Sequence, residues 1–580
     1  MGKGTLWNGK YYSIPQAASR IDSSALARSP LGGANKLVIM GDMIGLIPPG
    51  KATKINNPSL AQALLHPSCE EVRLAAQLAF DPSPGSEIPG ASEVYLVPTN
   101  PAVASSITLS AALKLTSHMF GLPANQVKTK VEAGTTGKKL TIVYQDQTEA
   151  FDNLTKSSFS IQYTGAAVAA VMTINIAAAT HLLSTACTAV PADNLALDLN
   201  VYTTIQALVD AINSTGKYTA VVLTPSPGDS TMQMDSAAAV DIKTGVYTAK
   251  SDLQAMVDRI TKFSGYVMAE RIADAGAAPA NADWAYLAGG SNGVTTNNTW
   301  QTAFDLLKTV DIQLVLPVTS DTSLHAMGDT HCDYMSGPNG KSERRQFVGG
   351  ALQSWNSEVN RAASVAALKA AAKALNSDRT MHVGLGSYHY DPNGTAKLYP
   401  AYITAAMYAG IAAGGSPVLP LTRKYLRCLG LEDELRVSEI EDFLDTAAGV
   451  AVPIPDMVQG AGFVVSRQIT TWGQSDDLYR IEFSVGRGAD YIAREVRKRH
   501  DLLIGQGGIE QIDSTIVNVT NAVLEAAKLA GYIRNYDPKK TSLRVDGTIR
   551  YVDYSAEPVL PINWIFSTLF LQPTTFSIGL

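Results

Sequence analysis

His325, Asp329, His331, Cys332 and Asp333 crowd one short segment, and every one of these side-chain types can ligate a metal. His325 and His331 are six residues apart, which points them in different directions on a helix, and neither HExxH nor paired-cysteine spacing accompanies them. The segment therefore reads as solvated helix positions. His382 and His389 flank Gly384-Leu-Gly386-Ser387 after a strand, as an active-site loop of an α/β hydrolase would, but the GxSxG elbow is absent. Two stretches resemble phosphate loops. Gly134-Thr-Thr-Gly137-Lys138-Lys139 lacks the glycine spacing, and Gly337-Pro-Asn-Gly340-Lys341-Ser342 has Met335 where the first glycine must stand; both read as turns. No catalytic, cofactor-binding or metal residue is assigned, and no cofactor is expected.

The remaining charged constellation lies on Tyr491 to His500. Ile492, Val496 and Leu503 form an apolar stripe, while Arg494, Arg497 and Lys498 share another face by i, i+3 and i+4 spacing. That face meets either solvent or an acidic partner.

The elements that position these residues alternate as in an α/β protein. A strand at Lys36–Met40 precedes a helix opened by Asn57-Pro58, a second helix with Ser68-x-x-Glu71 as its capping box, and a strand at Glu93–Pro98. From about 106 to 287 the character changes to short strands separated by turns, so a different, β-rich domain is inserted. Alternation returns with a helix capped around Asn298, a strand at Ile312–Pro317, an Ala-rich helix from Ser357 to Leu375, a strand at Met381–Leu385 and a helix near 402–413. Ser438-x-x-Glu441 caps a further helix, Tyr479–Val485 reads as a strand, and a long helix covers about 514–530. The expected fold is α/β (α+β multidomain): a discontinuous core with a mixed or parallel sheet flanked by helices, inserted β-rich domains, and extended arms at both termini. The expected boundaries are 1–30 for the N-terminal arm, 31–105 and 288–557 for the core, 106–287 for the insertion and 558–580 for the C-terminal strand arm.

Length and composition bound the function. A chain of 580 residues exceeds what one core serves. Charged residues make up only 17%, below the roughly 25% of ordinary domains, which fits extensive subunit contacts. A net charge of −6 argues against nucleic-acid binding. Four dispersed cysteines suggest neither a disulfide framework nor a zinc site, and the N-terminus has no apolar signal region. The uncharged span Gly165–Ala192 imitates a membrane helix, but its alanines, Asn175 and His181 suit buried strands better, so no membrane insertion is expected.

Pro558 to Leu580 carries no charge, and its run from Val559 to Leu571 is rich in β-branched and aromatic residues. An apolar terminal strand left open is an aggregation template, so this one needs a partner. The partner is either the chain's own sheet or a neighbouring subunit that accepts the strand by β-augmentation.

The order of segments resembles the contractile tail sheath family of bacteriophages and related injection machines. The resemblance rests on Lys36–Gly41, Val94-Tyr-Leu-Val-Pro-Thr-Asn-Pro101, Leu287-Ala-Gly-Gly-Ser-Asn-Gly293, Asn376-Ser-Asp-Arg379 and Pro417-Val-Leu-Pro-Leu-Thr422. It continues through Val464-Val-Ser-Arg-Gln-Ile-Thr-Thr-Trp472 and Ile549–Ile565, covering about 31–100 and 287–571. It implies a structural protein, not an enzyme, that polymerises as stacked hexameric rings around a tail tube and contracts to drive the tube through the host envelope during genome delivery. It implies a virion location, assembly in the host cytoplasm, and partners in further copies of itself, the tube protein, the baseplate and the tail terminator. Strand exchange would involve Trp564, Ile565, Phe566, Leu569, Phe570, Phe576 and Ile578, and the tube would be met by Arg494, Arg497 and Lys498. The rival reading is the hydrolase built on the His382–His389 loop.

Overall fold

The computed structural model describes residues 35–570 apart from 85–87, 178–179, 275, 446, 448 and 457–461, together with the backbone of 5–7 and 10–12. Its centre is a seven-stranded sheet in the order Val450–Ala451, Thr380–Val383, Arg345–Gly349, Leu314–Pro317, Leu37–Gly41, Val94–Pro98 and Thr53–Ile55. Every neighbouring pair is parallel except the last, an antiparallel edge. Leu37–Gly41 and Leu314–Pro317 are buried at every position, because helices cover both faces and the strands read as continuous apolar runs.

One face packs on Pro58–Leu64, Glu70–Phe80 and Ala401–Gly414; the other packs on Asn297–Leu307 and Thr322–Ser336. The Ala401–Gly414 helix is buried on all sides, so its sequence is apolar all round. Its Gly410 lets it approach the Glu70–Phe80 helix closely, since a Cβ there would stand 2.6 Å from the Ala79 carbonyl oxygen. The sheet draws on two separated stretches of chain, 37–98 and 314–451.

Between those stretches lie two units, one nested inside the other. The first, with its own core around Leu115, Ile142 and Ile260, takes strands from 104–154 and from 267–286 and the helix Asp252–Phe263. The second, around Phe159, Ile174 and Leu208, spans 157–250 and carries the helix Ile205–Ser214. The span that imitates a membrane helix lies here as the antiparallel strands Ala170–Ala177 and Thr180–Cys187. Among the described residues no helix is long and apolar enough to cross a membrane. The nested unit enters and leaves at one point, where the Ser251 amide donates to the Lys156 carbonyl at 2.8 Å. Excising 157–250 and joining Lys156 to Ser251 through a short linker is therefore expected to leave the remaining cores intact. Circular dichroism and a cooperative thermal transition would check this; loss of cooperativity would show that the unit supports the body.

C-terminal to the sheet, Phe483–Asp501 and Glu510–Leu529 pack through Tyr491, Ile492, Val496, Val523 and Leu524 into a small separate core. Two short antiparallel pairs complete it: Ile533–Tyr536 with Ala556–Pro558, and Ser542–Asp546 with Ile549–Asp553. At the N-terminus, Thr5–Trp7 and Lys10–Tyr12 pair as a hairpin.

Four local expectations are corrected. Tyr479–Val485 is helical, because Asp477 caps Leu478–Ile481 and the chain resumes as a helix at Phe483. The segment alternates apolar and polar residues as a strand would, and tertiary packing of Ile481, Phe483 and Val485 overrides that local signal. Ser68 does not cap: its hydroxyl bonds the His66 ring at 2.9 Å, and the helix starts at Glu70 after Cys69. The helix expected from Ser438 begins at Val437, and Glu439 reaches back to the Arg436 amide at 2.8 Å. Thr296, not Asn298, caps the helix Asn297–Leu307 through a capping box with Thr299.

Candidate assembly surfaces

The C-terminal arm leaves its last strand at Pro558 and runs to 570 with no strand partner among the described residues. Trp564, Ile565, Phe566, Leu569 and Phe570 are all exposed, Phe566 at 94%. Phe576 and Ile578 lie outside the described residues. The base of the arm is held. Asn563 donates to a carboxylate oxygen of Glu482 at 2.9 Å, and the Arg467 guanidinium sits 5.2 Å from the Trp564 ring centre. Arg467 in turn pairs with the buried Glu482 at 2.7 Å. Arg467 and Glu482 were missed in the sequence. Arg467 stands in one of the runs that carry the family resemblance and Asn563-Trp564 in another, but nothing in a linear chain joins them.

The cationic helix face is corrected. Arg494 is buried and ion-paired with Asp311, and Arg497 pairs with the buried Glu343 and donates to the Lys341 carbonyl at 2.8 Å. Lys498 is exposed and pairs with Glu495 at 2.8 Å. The i, i+3 and i+4 spacing places the three side by side, but the α/β body covers two of them. Ile492 and Val496 are buried as expected, and Leu503 falls beyond the helix end.

Next to them lies a seam of buried arginines between the body and this helix. Asp490 accepts from Arg345 Nε at 2.6 Å and from Arg379 Nη1 at 2.7 Å. Gly486 permits the approach: a Cβ there would meet Arg345 Nη2 at 2.3 Å.

The candidate catalytic groups are embedded in packing. His325 and His331 are buried, not solvated: His325 Nε2 bonds the Thr319 carbonyl at 2.9 Å, and Arg344 bonds His331 Nε2 at 2.7 Å. Burial and then the Arg344 charge bring His331 down to about 3, so it stays neutral and accepts from the guanidinium. His382 is wholly enclosed, and burial followed by His325 lowers it to about 3. Ser387 bonds His389 Nε2 at 2.9 Å and Thr404 at 2.8 Å, but Ser387 is fully buried and His389 nearly so, where no substrate reaches them. The crevice at the carboxyl ends of Leu37–Gly41 and Leu314–Pro317, where a doubly wound enzyme holds its ligand, encloses about 480 Å³. Its carboxylates are engaged locally: Asp42 by Thr99 at 2.8 Å and Thr295 at 2.6 Å, Glu71 by Tyr402 at 2.7 Å, and Glu70 by Lys397 at 3.0 Å. Among the described residues no group of three or more His, Cys, Asp or Glu is arranged to hold a metal ion.

No protein-family model matches the sequence. The tail sheath protein of Bacillus phage SP01 is 28% identical over 595 aligned positions, which take in 99% of this chain and 98% of that one. The chain is a homologue of phage tail sheath proteins. A putative tail sheath protein of Enterococcus phage phiEF24C is 24% identical, with 96% of each chain covered. Among solved structures, the sheath tail protein of Listeria innocua shares the fold with a TM-score of 0.55 at 14% identity, covering 92% of this chain and 94% of its own. The sheath homologue thus matches its relatives from end to end, nested units included. Its relatives are structural proteins, and nothing favours the hydrolase alternative.

Proposed function

We propose that this chain is the structural subunit of a contractile tail sheath, polymerising around a tail tube and contracting to drive it through the host envelope during genome delivery. The observation that carries the reading is the C-terminal arm, anchored at Asn563 and Trp564, with Ile565, Phe566, Leu569 and Phe570 exposed and without a strand partner among the described residues. Each large apolar side chain moved out of water contributes about 1.5–3 kcal/mol, so a run of them is a strong association element. A neighbour's open strand edge is its natural acceptor, and the short pairs at 533–558 offer such edges. Head-to-tail exchange that does not close gives stacked rings on a helix, and flexible strand links let rings rotate while staying attached.

Further copies of the chain, the tube protein, the baseplate and the tail terminator are the partners this role requires, with assembly in the host cytoplasm and residence in the virion tail. The tube contact is assigned to the outer end of the Phe483–Asp501 helix at Lys498, with Arg494 and Arg497 holding that helix against the body. The nested units are assigned to the outer surface. Electron microscopy of the purified protein tests the reading: tubes or ring stacks are expected, and a discrete small oligomer at every concentration would overturn it.

A further inference from the structure

Arg467 and Glu482 stand on two segments that the main chain already holds together. The Phe483 amide donates to the Gln468 carbonyl at 3.1 Å, and the Thr470 amide to the Ile481 carbonyl at 2.9 Å. Gln468 adds a buried side-chain bond, its Nε2 donating to the Ser484 hydroxyl at 2.6 Å. Within that frame Arg467 Nε and Nη2 both donate to Glu482 Oε1, at 2.9 and 2.7 Å. The Glu482 side chain is 1% exposed and that of Arg467 15%, so solvent and salt screen the pair little.

Both groups also face the C-terminal arm. A carboxylate only accepts, so the Asn563 amide must present its nitrogen, and Nδ2 donates to the same Glu482 oxygen at 2.9 Å. The Arg467 guanidinium lies 5.2 Å from the Trp564 ring centre, within cation–π range. Arginine suits this double task where lysine does not: its planar fork serves the carboxylate with two N–H groups while its flat face meets the indole. Among the described residues strand pairing of the arm ends at Pro558. The clamp therefore decides whether free chain starts at 559 or at 565.

We infer that Arg467 and Glu482 are positioning residues for assembly, holding the arm at Asn563 and Trp564 so that the apolar run from Ile565 leaves the body at a fixed point and in a fixed direction. With the arm as the link between subunits, as proposed above, this exit sets how readily a neighbour captures it. Each residue whose backbone must be ordered at capture weakens association roughly tenfold, and the clamp orders residues 563 and 564 beforehand.

The clamp is tested in the full-length monomer through the rotational freedom of Trp564. Time-resolved tryptophan anisotropy is read at concentrations too low for polymer, with the Trp564→Phe protein as the blank that removes the other tryptophans. In the wild type Trp564 is expected to turn with the body; in the Asn563→Ala and Arg467→Lys proteins it is expected to rotate freely. The concentration at which polymer sediments is expected to rise about tenfold in both variants. Asn563→Ala leaves the Arg467–Glu482 pair in place, so its unfolding midpoint is expected to match the wild type, which separates positioning from folding. Free rotation of Trp564 in the wild type would overturn the clamp, and freed rotation in the variants with an unchanged polymer threshold would overturn its role in assembly. Tubes formed by the protein lacking 565–580 would overturn the arm as the subunit link, and with it the assembly role, while the monomer anisotropy still decides the clamp.

Discussion

Removing residues 565–580 is expected to abolish polymerisation while leaving a folded monomer. The cut falls just after Trp564, so Asn563 keeps its bond to Glu482 and Trp564 its stacking on Arg467, and the anchor survives. What goes is Ile565, Phe566, Leu569 and Phe570, which contribute nothing to the chain's own core. Losing exposed apolar groups does not destabilise a monomer, whereas an assembly that buries them loses about 1.5–3 kcal/mol for each. Sedimentation and electron microscopy of the truncated protein against full-length chain would read the effect. Tubes formed at the same concentration by both proteins would rule out the arm as the link between subunits. A fall in the monomer's unfolding midpoint by many degrees would place the arm in the fold instead.

Asp490→Asn is expected to be the most destabilising single substitution in the C-terminal half, costing about 3–5 kcal/mol. The substitution hardly changes volume but leaves Arg345 and Arg379 without their shared carboxylate, and Arg345 is almost wholly enclosed. A charged group stranded in the interior cannot shed its proton when it is a guanidinium, so the energy appears as lost stability. Equilibrium unfolding in urea would measure it. Because the small C-terminal core has few apolar contacts of its own, the loss is expected as an early separate transition of the helices Phe483–Asp501 and Glu510–Leu529. A change below about 1 kcal/mol would show that water reaches the pair and screens it.

Much of the body was legible because its strands are buried on both faces. Leu37–Met40 and Val94–Pro98 are apolar runs between which the Asn57-capped helix is also legible, and a parallel sheet demands that pattern. The helix Glu358–Leu375 announced itself through Ser357, whose hydroxyl accepts from the Asn360 amide at 3.2 Å. The nested organisation of 104–287 was not legible. Both units have the same short-strand texture, and only the meeting of Lys156 with Ser251 separates them.

For the assembly surfaces the division is sharper. The sequence by itself determined that the last twenty-odd residues are apolar and uncharged, since composition needs no neighbours to be read, and that Ile492 and Val496 face inward, since helical spacing is local. It could not tell whether the arm pairs within the chain. That depended on whether a sheet edge lies within reach, and among the described residues the tertiary structure leaves the arm unpaired to 570. Nor could it tell that Arg494 and Arg497 face carboxylates rather than water, because Asp311 and Glu343 lie more than 150 positions away and come close only when the helix docks on the sheet. Spacing within one helix fixes which side chains share a face; what covers that face is decided by long-range packing, where a buried guanidinium must find an acid.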